Sequence, residues 1–152
     1  MALTKIKPTG INETLDFSFD DVSANTISVL GTSTFQQSTE KIQTKTGATG
    51  TVTHDYSLGA LFYHSSISAN FTANITNVPT TNNRSIVLVL LLSQGVTAYI
   101  PNVLQIDGTP YTIKWINGTV PSGNPTGLDI VSFSLIRVSD TWTVLGQLIT
   151  YF

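Results

Sequence analysis

The chain has 152 residues, with 7 basic and 9 acidic side chains, a formal charge of −2 and no cysteine. At 11% charged residues, against roughly 25% in an average soluble protein, it lacks the Lys/Arg patch that counterion-driven binding to DNA or RNA requires. The missing cysteines exclude a disulfide framework, a Cys-ligated zinc or iron–sulfur site and thiol catalysis, and 24 Thr, 15 Ser and 10 Asn leave solubility to hydroxyls and amides.

In chain order, the opening MALTKIKPTGIN carries two lysines with no apolar run behind them, so it does not read as a signal peptide. Residues 1–45 hold nine of the sixteen charges, and their apolar residues come as short alternating runs, Leu15, Phe17, Phe19 and then Ile27, Val29. Alternation at period two predicts strands with one buried face. That apolar mass is too small for a core of its own, so residues 1–45 read as an extended arm carrying one to three edge or intersubunit strands. The run TKTGATGT, Thr44 to Thr51, reads as a hinge.

Residues 46–152 read as strands almost throughout: Thr51–Tyr56, Ala60–His64, Ala69–Thr76, Ile86–Ser93, Thr97–Ile100, Val103–Ile106, Tyr111–Trp115, Ile130–Val138 and Trp142–Tyr151. Ile86 to Leu92 is the most hydrophobic stretch, far short of the roughly 20 residues a spanning helix needs, and predicts a strand buried on both faces. Asp107-Gly108 and Asn117-Gly118 are turn signals needing positive φ, and Ser139-Asp140 marks a third turn. Pro79, Pro101, Pro121 and Pro125 fall where strands should end. No helical period and no internal repeat is present. The pattern predicts an all-β, antiparallel sandwich, jelly-roll-like or Greek-key, over residues 46–152. Its expected core is Leu61, Phe71, Ile75, Ile86, Leu88, Leu90, Ile113, Val131, Phe133, Leu135 and Leu145.

Chemistry-bearing residues are few. His54 and His64 flank a turn around Gly59 and could meet across strands, but a metal site would want a third ligand and Asp55 points to the opposite face from His54. Ser65 and Ser66 beside His64 lack a G-x-S-x-G elbow to place a nucleophile. Among carboxylates, Asp20 and Asp21 sit on the arm, Asp107 and Asp140 belong to turns, and only Asp55 and Asp129 remain for a glycosidase pair. TGATG has the glycines of a phosphate loop without the lysine or the helix. Asn12, Asn70, Asn74, Asn83 and Asn117 open N-x-S/T triplets, which the Thr/Asn bias explains. Trp115, Trp142, Tyr63, Tyr99, Tyr111 and Tyr151 are candidates for a sugar-stacking platform, although Trp142 shares a strand face with Val144 and so reads as core. No catalytic, cofactor-binding or metal residue is assigned, and no enzyme activity or cofactor is expected.

The runs TKTGATGTVTHDYSLGALFYHSS, NFTANITNVPTTNNRSIVLVLLLSQG, AYIPNVLQIDG, YTIKW and FSLIRVSDTWTVLGQLITYF resemble a module of virion proteins from marine tailed phages, especially cyanophages, and MALTKIKPTGIN resembles the N-terminus common among them. The resemblance implies a virion structural protein, made in the infected host cytoplasm and carried on the virion surface. Without coiled-coil heptads or repeats to build a fibre shaft, the chain reads as a knob or capsid decoration anchored by residues 1–45. The alternative is a short tail-fibre or fibre-tip domain binding a host-surface glycan. The implied partners are other virion proteins, the major capsid protein first and tail or portal proteins second. A homotrimer is a further option, and neither nucleic acid nor membrane insertion is expected.

Overall fold

The computed structural model describes residues 31–151. The alternating runs of the arm at Leu15–Phe19 and Ile27–Val29 lie outside the described residues. The compact unit begins at Ser38 and is mostly β, with ten strands in two sheets. These are β1 (Ile42–Thr46), β2 (Gly50–Asp55), β3 (Leu61–Ser65), β4 (Phe71–Thr76), β5 (Arg84–Ser93), β6 (Pro101–Ile106), β7 (Thr109–Tyr111), β8 (Ile113–Trp115), β9 (Leu128–Val138) and β10 (Thr141–Tyr151). One sheet runs β1-β3-β5-β9-β10-β8 and the other β2-β4-β6-β7.

Consecutive strands from β1 to β6 alternate between the sheets, and within each sheet they pair in parallel: β1 with β3 with β5, and β2 with β4 with β6. The chain therefore winds through three turns, each contributing one strand to each layer. Only β5–β9, β9–β10 and β6–β7 are antiparallel. This corrects the antiparallel expectation on which a jelly-roll or Greek-key reading rests. Short alternating strands look alike in either pairing. Short connections ordinarily signal hairpins, but here they carry the chain across the core to the opposite sheet.

The corners explain how. After β1 the chain turns at Gly47, φ 71°, and after β3 at Ser66, φ 53°, and the two turns stack. Gly47 N donates to Ser65 O at 3.0 Å and Ser68 N to Ala48 O at 3.1 Å, while Ala48 is buried. TKTGATGT is thus a packed corner between β1 and β2 instead of a hinge, and the sheet starts at Ile42, inside the expected arm. At the other end of the four-stranded sheet, Asn77 Nδ2 donates to Asp55 Oδ1 at 2.9 Å and Asn77 N to Asp107 Oδ1 at 3.0 Å, a polar ladder joining the ends of β2, β4 and β6. Asp107-Gly108 and Ser139-Asp140 form the two-residue turns β6–β7 and β9–β10 with positive φ throughout. Asn117 and Gly118 also take positive φ, but they end β8 without making a hairpin.

The core lies between the layers. Phe62, Leu88, Leu90, Leu92, Val131, Phe133, Leu135 and Val144 come from the six-stranded sheet, and Phe71, Ala73, Ile75, Leu104 and Ile106 from the other. Ile86 and Ile113 pack at its margin, and Leu61 is half-buried. Leu145 is 41% exposed, one residue out of phase with the expectation: Val144 holds the inward position, and period two sends Leu145 outward. The expected strand Thr97–Ile100 is a loop, because the Gln94 amide donates to Tyr99 O at 2.9 Å and accepts from Tyr99 N at 3.0 Å, satisfying both groups that a ladder would. Ile86–Leu92 is not buried on both faces: Leu88, Leu90 and Leu92 point inward, while Val87 is 51% exposed on the outer side.

Gly146 on β10 tests this packing. A Cβ there would stand 2.6 Å from Ile113 Cγ2 and 2.9 Å from the Trp115 ring. Gly146→Ala is expected to destabilise the fold by about 1–3 kcal/mol through overpacking, read as a lower urea midpoint at unchanged slope.

Candidate functional site

The two histidines do meet, but across the core and not across a hairpin. His54 projects inward from β2 and His64 inward from β3 in the opposite sheet, both fully buried. Their Nε2 atoms stand 2.9 Å apart. Phe62 meets the His54 ring edge-on at 4.8 Å between centroids, and Phe71 stacks on the His64 ring at 5.2 Å. One imidazole donates an Nε2–H and the other accepts at Nε2, so the two hold opposite tautomers. Neither Nδ1 makes a hydrogen bond of ordinary geometry.

Burial, then the neighbouring His64 and Lys45, pushes His54 down to about 3, with the Val52 and Asn74 backbone pulling weakly the other way. Burial and then Lys45 push His64 down to about 4. Both rings are therefore neutral at pH 7, and the pair is a dry polar bridge between the sheets. Among the described residues no three His, Cys, Asp or Glu side chains gather as a metal-ligand group.

The two remaining carboxylates serve different networks. Asp55 Oδ1 accepts from Ser57 Oγ at 2.6 Å, Ser57 N at 3.0 Å and Asn77 Nδ2 at 2.9 Å. The Ser57 hydroxyl, then the Asn77 amide, hold its carboxyl below the usual range. Asp129, at the start of β9, is fully buried. Its Oδ2 accepts from Gln94 Nε2 and from Asn124 N, both at 2.9 Å, and Oδ1 has no protein partner. Gln94 thus ties the Tyr99 loop to the Asn124 loop through Asp129. The sequence offered no signal for this network, since a lone Gln after a strand fits any loop. Ser65 and Ser66 are not brought into a triad: Ser65 lies on the outer side of β3, where its Oγ is 3.4 Å from Thr46 Oγ1, while His64 points into the core.

The aromatic candidates are not assembled into a platform. Trp115 is buried against Phe133, with ring centroids 5.8 Å apart. Trp142 carries the Arg137 guanidinium 5.3 Å over its ring, a cation–π contact, and Arg137 also reaches exposed Asp140 at 3.1 Å. Tyr99 and Tyr111 pack against the core, while Tyr63 and Tyr151 occupy separate strands of the six-stranded sheet. The apolar surface is instead concentrated on that sheet's outer side, where an open groove of about 530 Å³ runs past Val87, Ser132, Ser134, Leu145 and Gln147.

The histidine pair sets an acid limb. Both groups bind protons less readily folded than unfolded, so their contribution is complete above the unfolded value of 6.5 and is lost as pH falls toward about 4 and about 3. Each is expected to remove about 1.4 kcal/mol per pH unit over that window, measured by urea unfolding at a series of pH values. The double variant His54→Leu/His64→Leu should flatten the limb. His54→Leu alone should be less stable than the double variant, because it strands the His64 Nε2 in the core at a cost of about 1–3 kcal/mol.

No protein-family model, curated protein or solved structure matches the chain.

Proposed function

We propose that the chain is a non-enzymatic structural protein of a tailed-phage virion, a knob or decoration exposed on the capsid and attached through the segment that precedes β1. Its phage assignment rests on the word-like sequence runs, and its non-enzymatic character on the state of the titratable side chains. The observation that carries the latter is the His54–His64 bridge: the two histidines are dry, neutral and bonded to each other. A general base needs a pKa near working pH and access to substrate, and these rings have neither. Asp55 closes a turn ladder, and Asp129 joins two loops through its Oδ2. A charge-poor surface also suits a particle in seawater, where the Debye length is about 4 Å and surface ion pairs contribute little.

The glycan-binding fibre tip is less supported, since stacking a sugar asks for exposed rings side by side, and here Trp115 is in the core and Trp142 lies under Arg137.

An antibody against the protein, used on gradient-purified virions, tests the reading. The expected result is co-migration with full particles and retention on heads after the tails are sheared away. Absence from purified virions would overturn the reading, and recovery with tails would overturn the capsid placement. The protein is further expected to release no reducing ends from polysaccharide; turnover abolished by Asp129→Asn or Asp55→Asn would show that an enzyme had been missed.

A further inference from the structure

The six-stranded sheet carries apolar rows on both faces, and among the described residues no element covers the outer one. Inward, β5 and β9 supply the core. Outward, registered rows cross the strands: one reads Val87, Ser134, Leu145 and Lys114 over β5, β9, β10 and β8. Another reads Tyr63, Leu91, Ile130 and Ile149 over β3, β5, β9 and β10. Lys114, on the short edge strand, is the one charge in these rows. Val87, Leu145 and Ile149 are 51%, 41% and 45% exposed. An uninterrupted apolar run such as Ile86–Leu92 is the pattern of a strand covered on both sides, and the described residues cover one.

From this we infer that a second copy of the chain packs against the outer face of the six-stranded sheet. Size supports it: at about 3.3 Å per residue and about 4.8 Å between strands, the six strands cover about 700 Å². That is close to the roughly 800 Å² each partner contributes to a stable interface.

Pattern supports a copy of the same chain as the occupant. Ser132 and Ser134 line the groove of about 530 Å³, while Leu91, Ile130 and Ile149 form an aliphatic row on the same face. A two-fold packing can set that row of one copy against the groove of the other, as a self-complementary, closed interface requires. The face carries one charge in these rows, Lys114 at its β8 edge, which also lines the groove, and its Ser, Gln and aliphatic groups can meet those of a second copy without a counter-ion. The inference does not depend on where the protein resides: it is read on the isolated chain, and virion membership is read on particles.

Sedimentation velocity of the full-length protein, with Val87→Lys and Leu145→Lys, is the test. Wild type should sediment as a closed oligomer at micromolar concentration. Each lysine variant should raise the half-assembly concentration about a hundredfold or more, with circular dichroism unchanged. Val103→Lys, exposed on β6 of the other sheet, should leave assembly intact. Because the chain has no cysteine, Ser134→Cys supplies a single thiol. A short bis-maleimide should join Ser134→Cys chains into covalent oligomers and leave Val103→Cys chains single. A monomeric wild type, or lysine variants that assemble like Val103→Lys, would overturn the inference. So would a Ser134→Cys protein that does not cross-link while Val103→Cys does.

Discussion

The described sheets depend on packing one against the other, because no two consecutive strands from β1 to β6 pair with each other. β1 is held by β3, β2 by β4, β3 by β5 and β4 by β6, so every ladder among them is closed by a chain that has crossed the core and returned. No hairpin in that half can form alone. The inward rows of both sheets must therefore be apolar at once, and any polar group between them must find its partner there. His54 and His64 satisfy that condition for each other, one from each layer, between Phe62 and Phe71. Such non-local pairing costs loop-closure entropy before it is rewarded. The corners reduce that cost by bonding turn to turn, as Gly47 does to Ser65 and Asn77 to both Asp55 and Asp107.

Composition and period two were enough to read an all-β chain, most strand positions and most of the core. Phe71, Ile75, Leu88, Leu90, Val131, Phe133 and Leu135 are buried as their alternation requires. Two two-residue turns were legible for a specific reason, since Asp107-Gly108 and Ser139-Asp140 join paired strands in positive φ. Pairing direction was not legible, because side-chain alternation is the same in parallel and antiparallel ladders. The winding left no sequence period either: Ile42 stands beside Leu61 and Leu61 beside Val89, so the second turn is longer than the first. Leu145 was misplaced because Val144 and Leu145 are both apolar, and Gly146 decides the phase: only a glycine fits inward against Ile113 and Trp115. The histidine contact was suspected from spacing, but its position between the layers, which makes both rings neutral, depends on the crossing.

His54, His64, Asp55 and Asp129 each hold part of this architecture together. Asp129 sits on the inward side of β9 near Val131, and Gln94 and Asn124 bond its Oδ2 with one loop each while Oδ1 has no protein partner. Gly123 lies so close that a Cβ would stand 2.6 Å from Asp129 Oδ2, so that loop is drawn tightly over the carboxylate. Such groups specify which loop lies where, a structural use of a buried polar network.

The few charges in the strands are placed to the same end. A sheet edge is an open ladder, and natural proteins blunt edges with lysine, proline or short strands. Here edge strand β1 carries Lys45, edge strand β8 is three residues long and carries Lys114, and edge strand β7 is three residues long around Pro110. The outward rows of β5, β9 and β10 have no such guard between Val87 and Leu91 or between Leu145 and Ile149. Edge strand β2 carries neither lysine nor proline, so the guard is incomplete, and the broad outer face is the surface on which we infer that a second copy packs. Because that contact depends on apolar area and shape and not on ion pairs, salt does not weaken it.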